Sequence, residues 1–259
     1  MLRLSNHLRL YTVPMNRIEL LKSLENDQEY YSGLGKQFLS NSDIGTLLNN
    51  PAAYGRSRKD DKALAEGRLF HQLLLEPDKV QDFPVCDVST RTTKEYKSFI
   101  QELGIEFCML SKEVEAVERW VSAVKRNYTF YEMIYQSENR YEVPEVDEFF
   151  DLPWKGKADI VSPTSVIDLK TTSDINKFRF SAKSYNYDSQ CWIYQQLFGK
   201  PLTFLVVDKE TCQLGMFTPS EDFVIGGGKK VEYASTIYKR YFAKDASEDI
   251  INHFIQETL

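Results

Sequence analysis

The sequence contains few of the residues that build common metal and disulfide sites. There are four cysteines and three histidines in 259 residues. The cysteines do not form the C-x-x-C pairs that zinc and iron–sulfur sites usually need, and three histidines make a multi-histidine centre improbable. We therefore expect all four cysteines to be free thiols in a reducing compartment.

Long hydrophobic runs and an excess of positive charge are also missing. No run approaches the ~18 apolar residues of a membrane span, and the first residues lack the apolar core of a secretory signal. This predicts a cytoplasmic protein that does not contact a membrane. The 32 Lys and Arg residues against 38 Asp and Glu give a net charge of −6, which argues against coating of nucleic acid through overall basicity.

A hydrophobic content of 42% is sufficient for one sizeable core. We expect residues 1–14 to be a flexible extension and residues 15–259 to form a single domain. That domain divides into a helical N-terminal part at 15–110, a core at 111–210, and a C-terminal strand with helices at 211–259.

The hydrophobic periodicity changes along the chain. Helical spacing predicts helices after Ser40, over 62–76, and from Ser111 into the 130s. Alternation then predicts strands at 140–150, 157–161 and 166–170, followed by a helix at 184–198 and strands at 202–207 and 213–218. Helices are expected to resume after Gly226-Gly227-Gly228. The fold class is therefore α/β, and the core order is helix, three strands, helix, strand.

The chemistry is concentrated in Asp168-Leu169-Lys170, which ends an apolar strand. Residues i and i+2 of a strand share a face, so Asp168 and Lys170 point the same way. If Pro163 and Thr164 form the tip of a hairpin, Asp159 lies opposite Asp168. Two opposed carboxylates are unfavourable unless a positive group lies between them, and a divalent cation would provide it.

Two carboxylates suit Mg²⁺ or Mn²⁺, and a neighbouring lysine could orient or deprotonate an attacking water. This set is typical of a phosphodiester hydrolase. The alternative is a solvated hairpin with a cross-strand Asp–Lys pair. Gln190 and Tyr194 support the hydrolase, because one helical turn separates them and they could contact a phosphate or position a metal-bound water.

These residues resemble the motifs of the PD-(D/E)XK nuclease superfamily, most closely its RecB/RecE-type exonucleases, which include phage-encoded relatives. The resemblance implies a restriction-endonuclease-like core, a central mixed sheet flanked by helices, with an N-terminal helical elaboration. It is carried by Gly156-Lys157-Ala158-Asp159, Asp168-Leu169-Lys170-Thr171-Thr172, Gln190 with Tyr194, Ser40-Asn41-Ser42, Asn50-Pro51-Ala52-Ala53-Tyr54 and Gly67-Arg68-Leu69-Phe70-His71.

The resemblance implies a metal site that holds Mg²⁺, with Mn²⁺ as a substitute. Its ligands would be Asp159, Asp168, His71 and the carbonyl of Leu169, and Lys170 would act on the nucleophilic water. Two departures are present. Asp168 replaces the commoner glutamate before x-Lys, as RecE-like members also show, and Asn50 replaces the usual serine before proline.

Residues around these motifs are candidates for DNA contacts. Trp154 and Tyr185 could stack on a duplex end, the alternative being that they are core aromatics beside the strands. Glu142 lies where some relatives carry an acidic residue on the first strand, and its alternative is a solvated strand glutamate. Residues 154–184 carry six basic and three acidic residues, which predicts a basic groove at the metal site and an acidic outer surface. The expected DNA-binding residues are Arg68, Lys157, Thr171, Lys177, Arg179, Ser40 and Ser42.

The resemblance implies a Mg²⁺-dependent exonuclease that digests linear double-stranded DNA from an end and leaves single-stranded tails for recombination or repair. An annealing protein or recombinase would be the partner, and a ring-shaped homo-oligomer is plausible. The setting would be the cytoplasm of a bacterial or phage-infected cell. The alternatives are an endonuclease or single-strand-specific nuclease of the same superfamily, or a non-catalytic DNA-binding module derived from it.

Overall fold

The computed structural model describes residues 15–56, 61–82 and 84–255, so the expectation for residues 1–14 lies outside the described residues. The helices are α1 (Arg17–Leu24), α2 (Asp27–Tyr31), α3 (Asn41–Asn49), α4 (Lys62–Leu75), α5 (Lys94–Leu103), α6 (Ser111–Arg126), α7 (Tyr128–Tyr135), α8 (Phe178–Ser184), α9 (Tyr187–Phe198) and α10 (Glu221–Tyr241). The strands are β1 (Val85–Cys86), β2 (Met109–Leu110), β3 (Arg140–Phe149), β4 (Leu152–Val161), β5 (Val166–Thr172), β6 (Leu202–Asp208) and β7 (Leu214–Phe217).

A five-stranded mixed sheet forms the centre of the fold, in the order β3-β4-β5-β6-β7. Strands β3, β4 and β5 form the antiparallel meander that the sequence predicts. Helices α8 and α9 then lead into β6, which pairs parallel to β5, and β7 pairs antiparallel to β6. The predicted fold class, a mixed sheet flanked by helices, is confirmed.

Helices cover both faces of the sheet. Strand β6 shows this best, because Phe204 and Val206 pack with α3, α9 and α10, whereas Leu205 and Val207 pack with α4, α6 and α7. A strand buried on both faces is a continuous apolar run, as 202–207 is. Among the described helices, none has the length and apolar character needed to cross a membrane. All four cysteines are free thiols.

The hairpin between β4 and β5 opens at the two aspartates. Its predicted register is confirmed by the pairs Ile160↔Ile167 and Val161↔Val166, but the ladder ends before Asp159 and Asp168 pair. Earlier along β4, the edge that β5 leaves unpaired forms hydrogen bonds with Leu39. The Leu39 amide donates to Pro153 O at 2.9 Å, and the Leu39 carbonyl accepts from Lys155 N at 2.8 Å. Strands β4 and β5 therefore diverge, and the two carboxylates lie at the point of divergence.

Two predicted helices are each broken by an asparagine. The helix from Ser111 does not run into the 130s, because Asn127 is extended and its side chain accepts from Phe130 N, which caps α7. The helix predicted over 184–198 begins only after Asn186, which has φ 57° and separates α8 from α9. Asparagine tolerates the left-handed region and competes for local backbone groups, so both breaks have a chemical cause.

The glycine triplet lies inside α10 and does not precede it, which corrects the predicted boundary. Ser220 caps this helix at Phe223 N. A Cβ atom at Gly227 would lie 2.0 Å from Asp188 O, and one at Gly228 would lie 2.7 Å from Trp192. The glycines therefore let α10 approach the start of α9 closely. A Cβ at Gly226 would meet nothing within 4 Å.

The two neighbouring glycines should respond oppositely to alanine. Gly227→Ala forces the α10 and α9 backbones apart and should lower the free energy of unfolding by about 1–3 kcal/mol. Gly226→Ala has room and should raise it by about 0.5–1 kcal/mol, because alanine loses less backbone entropy in a helix. Urea denaturation of both variants measures the difference. Equal stability of the two would contradict the close approach of α9 and α10.

A buried lysine holds α2 against the sheet. Lys155 is 7% exposed, and its ammonium donates to Tyr30 O at 2.5 Å and lies 4.2 Å from the centre of the Tyr30 ring. Burial lowers the pKa of Lys155 from 10.5 to about 8, while the Asp43 carboxylate opposes the shift and the Lys157 ammonium adds to it.

This depressed pKa predicts a pH-dependent stability. Between pH 8 and 10.5 the folded chain loses the Lys155 proton while the unfolded chain keeps it, so stability rises with pH in that window. Lys155→Met removes the contribution. From pH 7 to pH 10, the wild type should gain about 1 kcal/mol relative to this variant, after allowance for solvent screening. Parallel pH curves for both proteins in urea denaturation would contradict the assignment.

Candidate active site

The predicted metal ligands meet where β4 and β5 diverge. His71 Nε2 of α4 lies 2.8 Å from the carbonyl oxygen of Leu169 and 3.3 Å from Asp159 Oδ2. The same Asp159 oxygen accepts the Leu169 amide proton at 2.7 Å. The Asp159 carboxylate thus takes the place of a strand partner for Leu169, and three predicted donor groups come together.

Asp168 lies beside this group and is 1% exposed. Its Oδ1 accepts from Gln190 Nε2 at 2.6 Å, and its Oδ2 forms an ion pair with the Lys170 ammonium. Asp168 and Lys170 share a face of β5, as their spacing predicts. A buried carboxylate needs such partners, because an unpaired buried charge is strongly destabilising.

Burial and neighbouring charges shift both groups of this ion pair. Burial raises the pKa of Asp168 to about 6, with Lys170 opposing the rise and Asp159 adding to it. Burial alone would lower the pKa of Lys170, but the Asp168 carboxylate, the Tyr187 hydroxyl and the Asp159 carboxylate together raise it. Lys170 is therefore held as a cation, and its ammonium lies 5.0 Å from the centre of the Tyr187 ring.

The donor set at the divergence fits a divalent cation. It comprises a carboxylate, a carbonyl oxygen and an imidazole nitrogen, with the Asp168 carboxylate adjacent. Oxygen donors suit hard divalent cations such as Mg²⁺ and Mn²⁺, and these residues would hold such an ion. In the described residues, no three His, Cys, Asp or Glu side chains form a preassembled cluster, because Asp168 turns toward Lys170 and Gln190.

Gln190 and Tyr194 share the predicted face of α9 and are both buried. The Gln190 amide donates to Asp168, and the Tyr194 hydroxyl donates to the carbonyl of Lys157 at 2.7 Å. These side chains thus support the strands that carry the site. Their predicted contact with a phosphate or a metal-bound water stays a prediction.

Lys157 and Trp154 are both buried, which contradicts the predicted DNA contact of Lys157 and places Trp154 in the core, the alternative for an aromatic near a strand. The Lys157 ammonium donates to Asp27 Oδ1 at 2.7 Å and to Glu25 O at 3.2 Å, and its side chain is buried. Trp154 is fully buried in the core. Lys157 is held by Asp27 of α2 and by the Glu25 carbonyl, whereas Trp154 packs in the core with residues of α3 and α9. They are therefore not placed to contact DNA.

The other predicted DNA-binding residues lie at or near the surface. Ser40 and Ser42 stand at the start of α3, with their hydroxyl oxygens 2.8 Å apart. Thr171 follows Lys170 on β5 and is half-buried, and Arg68 lies on α4 one turn before His71. The exposed members are Arg68, Lys177, Arg179 and Ser42.

The carboxyl groups of Glu142 and Asp159 lie next to each other on the β3 side of the site. Glu142 has φ 50° and stands opposite Asp159 in the β3–β4 register, between the pairs Tyr141↔Ile160 and Val143↔Ala158. Burial raises the pKa of Glu142 to about 8, and the Asp159 and Glu76 carboxylates contribute. With a pKa of about 8, Glu142 is largely protonated at neutral pH, and the basic groove predicted at the metal site stays a prediction.

Two tyrosines near the site were missed from the sequence. Burial raises the pKa of Tyr31 on α2 to about 12, and the carboxylates of Asp27, Glu142 and Asp159 add to the shift. Tyr187 opens α9 and contacts Lys170. No spacing to the motifs identifies either residue, although Tyr187 does lie three residues before Gln190, on the same helix.

Comparisons with known proteins identify a matching family and a similar fold. A family model described as "PDDEXK-like domain of unknown function (DUF3799)" matches residues 46–246. A crystal structure described as a "putative exonuclease" from Eubacterium rectale matches with a TM-score of 0.61 and 16% identity, covering 90% of this chain and 95% of that one. At this identity the likeness shows the fold.

A second crystal structure, described as SSO0001, matches with a TM-score of 0.31 and 12% identity, covering 80% of this chain and 87% of that one, which is too low to support an argument. The comparison with curated proteins found no match.

The support that Gln190 gives to Asp168 can be measured with a control on the same helix. Gln190→Leu keeps the volume but leaves Asp168 Oδ1 without its donor, so the free energy of unfolding should fall by about 1–3 kcal/mol. Gln195→Leu changes an exposed glutamine of α9 and should stay within about 0.5 kcal/mol of the wild type. Chemical denaturation compares them, and equal effects would contradict a structural role of the Gln190–Asp168 bond.

Proposed function

The chain belongs to the family of PDDEXK-like domains designated DUF3799, and we propose that it is a Mg²⁺-dependent exonuclease that hydrolyses linear double-stranded DNA from an end. PD-(D/E)XK nucleases generally use divalent metal ions. The observation that carries the proposal is the convergence of His71, Asp159 and the Leu169 carbonyl beside the ion pair of Asp168 and Lys170.

The residues have distinct roles in this reaction. Asp159, the Leu169 carbonyl and His71 would hold the cation, with Asp168 completing the set after a small rotation away from Lys170. A bound divalent cation polarises the phosphodiester, acidifies a water ligand and stabilises the leaving oxygen. Lys170 is held protonated, which favours orienting the attacking water and neutralising phosphate charge over removing a proton.

Action at DNA ends and the biological setting rest on the resemblance to RecE-type enzymes. Digestion from an end would leave a single-stranded tail for an annealing protein or recombinase in a bacterial or phage-infected cell. A ring of several copies would enclose the DNA. Contacts from Ser40, Ser42, Arg68 and Thr171 would position the phosphates near the cation.

One alternative has an observation in its favour. A single-strand-specific nuclease of the same superfamily would use the exposed aromatic side chains of Phe180 and Tyr185, which lie on the α8 side of the site. A non-catalytic module is disfavoured, because Asp159, Asp168 and Lys170 are all retained.

The hydrolysis is tested with end-labelled linear DNA and closed circular DNA, each with Mg²⁺ or with EDTA. Wild type should release nucleotides from the linear duplex only, and only with Mg²⁺. Lys170→Ala and Asp168→Ala should lower the rate by ~100-fold or more, because each removes a group at the reacting phosphate. Lys22→Ala, an exposed lysine on α1, is the matched control and should leave the rate unchanged.

Metal binding is measured separately by titration with Mn²⁺. His71→Ala and Asp159→Ala should weaken Mn²⁺ binding by at least ~10-fold. Absence of nucleotide release by the wild type, or unchanged release by both active-site variants, would overturn the catalytic proposal. Degradation of the closed circle would instead identify an endonuclease.

A further inference from the structure

We infer that the outer face of α8 is a stacking surface for an unpaired DNA strand beside Lys170, an inference that rests on the proposed nuclease function and deepens it. We use the name α8 face for the exposed residues Arg179, Phe180 and Lys183 of α8 together with Tyr185, which follows the helix and lies about 140° around its axis from Phe180. This face would hold the single-stranded end of the substrate by its bases, so that the adjacent phosphate reaches the site.

The α8 face is aromatic although nothing in the described chain covers it. Phe180 is 63% exposed and Tyr185 is 66% exposed. The core contacts of α8 come from Phe178 and Ala182, which lie one turn apart and are buried, and Tyr185 follows them at the exposed end of the helix. Phe180 and Tyr185 are therefore not needed for packing, and two large rings in water beside a candidate active site indicate a ligand with flat apolar faces.

Two ring contacts connect this face to the site. The Tyr185 ring centre lies 5.9 Å from that of Tyr187, and the Lys170 ammonium lies 5.0 Å from the Tyr187 ring. A strand stacked on Tyr185 would thus lie next to the lysine that faces the reacting phosphate. Ser42 adds an exposed hydroxyl nearby, because the preceding Asn41 donates to Asn186 O at 3.1 Å in the α8–α9 turn.

The charge of the α8 face matches a nucleic-acid strand. Helix α8 contains two basic residues and no acidic residue. The Arg179 guanidinium lies 4.6 Å from the Phe180 ring centre, so cation and ring form one surface. Proteins that bind single strands combine aromatic rings for the bases with basic side chains for the phosphates.

Hydrogen bonds from α10 hold the α8 face in place. The Lys230 ammonium of α10 donates to Lys183 O at 3.1 Å, to Asn186 Oδ1 at 2.9 Å and to Asp188 Oδ1 at 2.9 Å. These bonds join the end of α8 to the start of α9, so the stacking rings and Lys170 keep their separation. A preorganised surface loses less entropy when it binds a flexible strand.

The geometry points to unpaired bases and not to continuous duplex. Inside a duplex both faces of each base are already stacked, whereas the bases of an overhang or a frayed end have free faces. The α8 face should therefore favour substrates with an unpaired end over blunt duplexes, and it would direct a single strand across the site.

The test uses a short single-stranded DNA that carries 2-aminopurine, whose fluorescence is quenched by stacking, in EDTA so that no cleavage occurs. Binding to the full-length wild type should quench the probe. Tyr185→Ala and Phe180→Ala should reduce the quenching and weaken the dissociation constant by ~5- to 100-fold. Tyr185→Phe keeps the ring and should behave as the wild type.

Tyr128→Ala is the matched control, because Tyr128 is 78% exposed on α7, a helix that packs against α6. A blunt hairpin duplex with the same probe in a paired position should bind all variants with equal affinity. Circular dichroism and thermal melting verify that each variant is folded, and Phe180→Ala decides the result if Tyr185→Ala does not fold.

The inference is overturned if Tyr185→Ala and Phe180→Ala bind the single strand as tightly as the wild type, or lose the same affinity for the duplex. The experiment distinguishes a failure of the stacking inference from a failure of the proposed hydrolysis. Ring-dependent quenching by a protein that cleaves no DNA would retain the stacking surface and reject the nuclease, whereas cleavage without ring dependence would do the reverse.

Discussion

The candidate site depends on a backbone pairing that β4 and β5 do not form. If β4 and β5 had continued their ladder past Ile160 and Ile167, the Leu169 amide would have bonded to backbone. Instead the Asp159 carboxylate accepts that proton at 2.7 Å, and the Leu169 carbonyl is left for His71 at 2.8 Å. A side chain thus replaces a backbone partner at no loss of hydrogen bonding, and this opens the sheet where a cation can be bound.

The opening brings charge into the interior, and the neighbouring helices stabilise it. Asp168 is almost fully buried and is held by Lys170 and by Gln190 of α9. Helix α9 is in turn held by α10, which can approach because Gly227 lacks a side chain at the Asp188 carbonyl. Contacts far from the cation site therefore determine whether the carboxylate stays in place. A change in helix packing is expected to act on the position of Asp168 as well as on stability.

The β3 side and the α8 side of the candidate site carry different kinds of side chain. On the β3 side, Glu142 is pressed against Asp159 in a strained backbone conformation, and burial with these like charges favours its protonated form. On the α8 side, basic and aromatic side chains face solvent. A polyanion would be attracted by the basic side chains of α8, whereas a protonated Glu142 carries no charge to repel it.

The sequence by itself determined the alternation of the three-strand meander, the hairpin tip at Pro163 and Thr164, and the shared face of Asp168 and Lys170. Each follows from local chain geometry, since a period of two and a short turn fix which side chains are neighbours. His71 could be linked to this group only through the motif resemblance, because no local rule relates residues 98 positions apart.

The burial of individual side chains and the other residues near the site depend on contacts between distant segments. Lys157 is buried against Asp27 of α2 and Trp154 is buried in the core beside α3 and α9, contacts that the pattern of β4 does not specify. Tyr31 and Tyr187 reach the site through the docking of short helices. The glycine triplet lies within a helix, where Gly227 and Gly228 allow α9 to approach closely. Local spacing encodes which residues share a face, whereas packing between distant segments decides which of those faces remains open to a substrate.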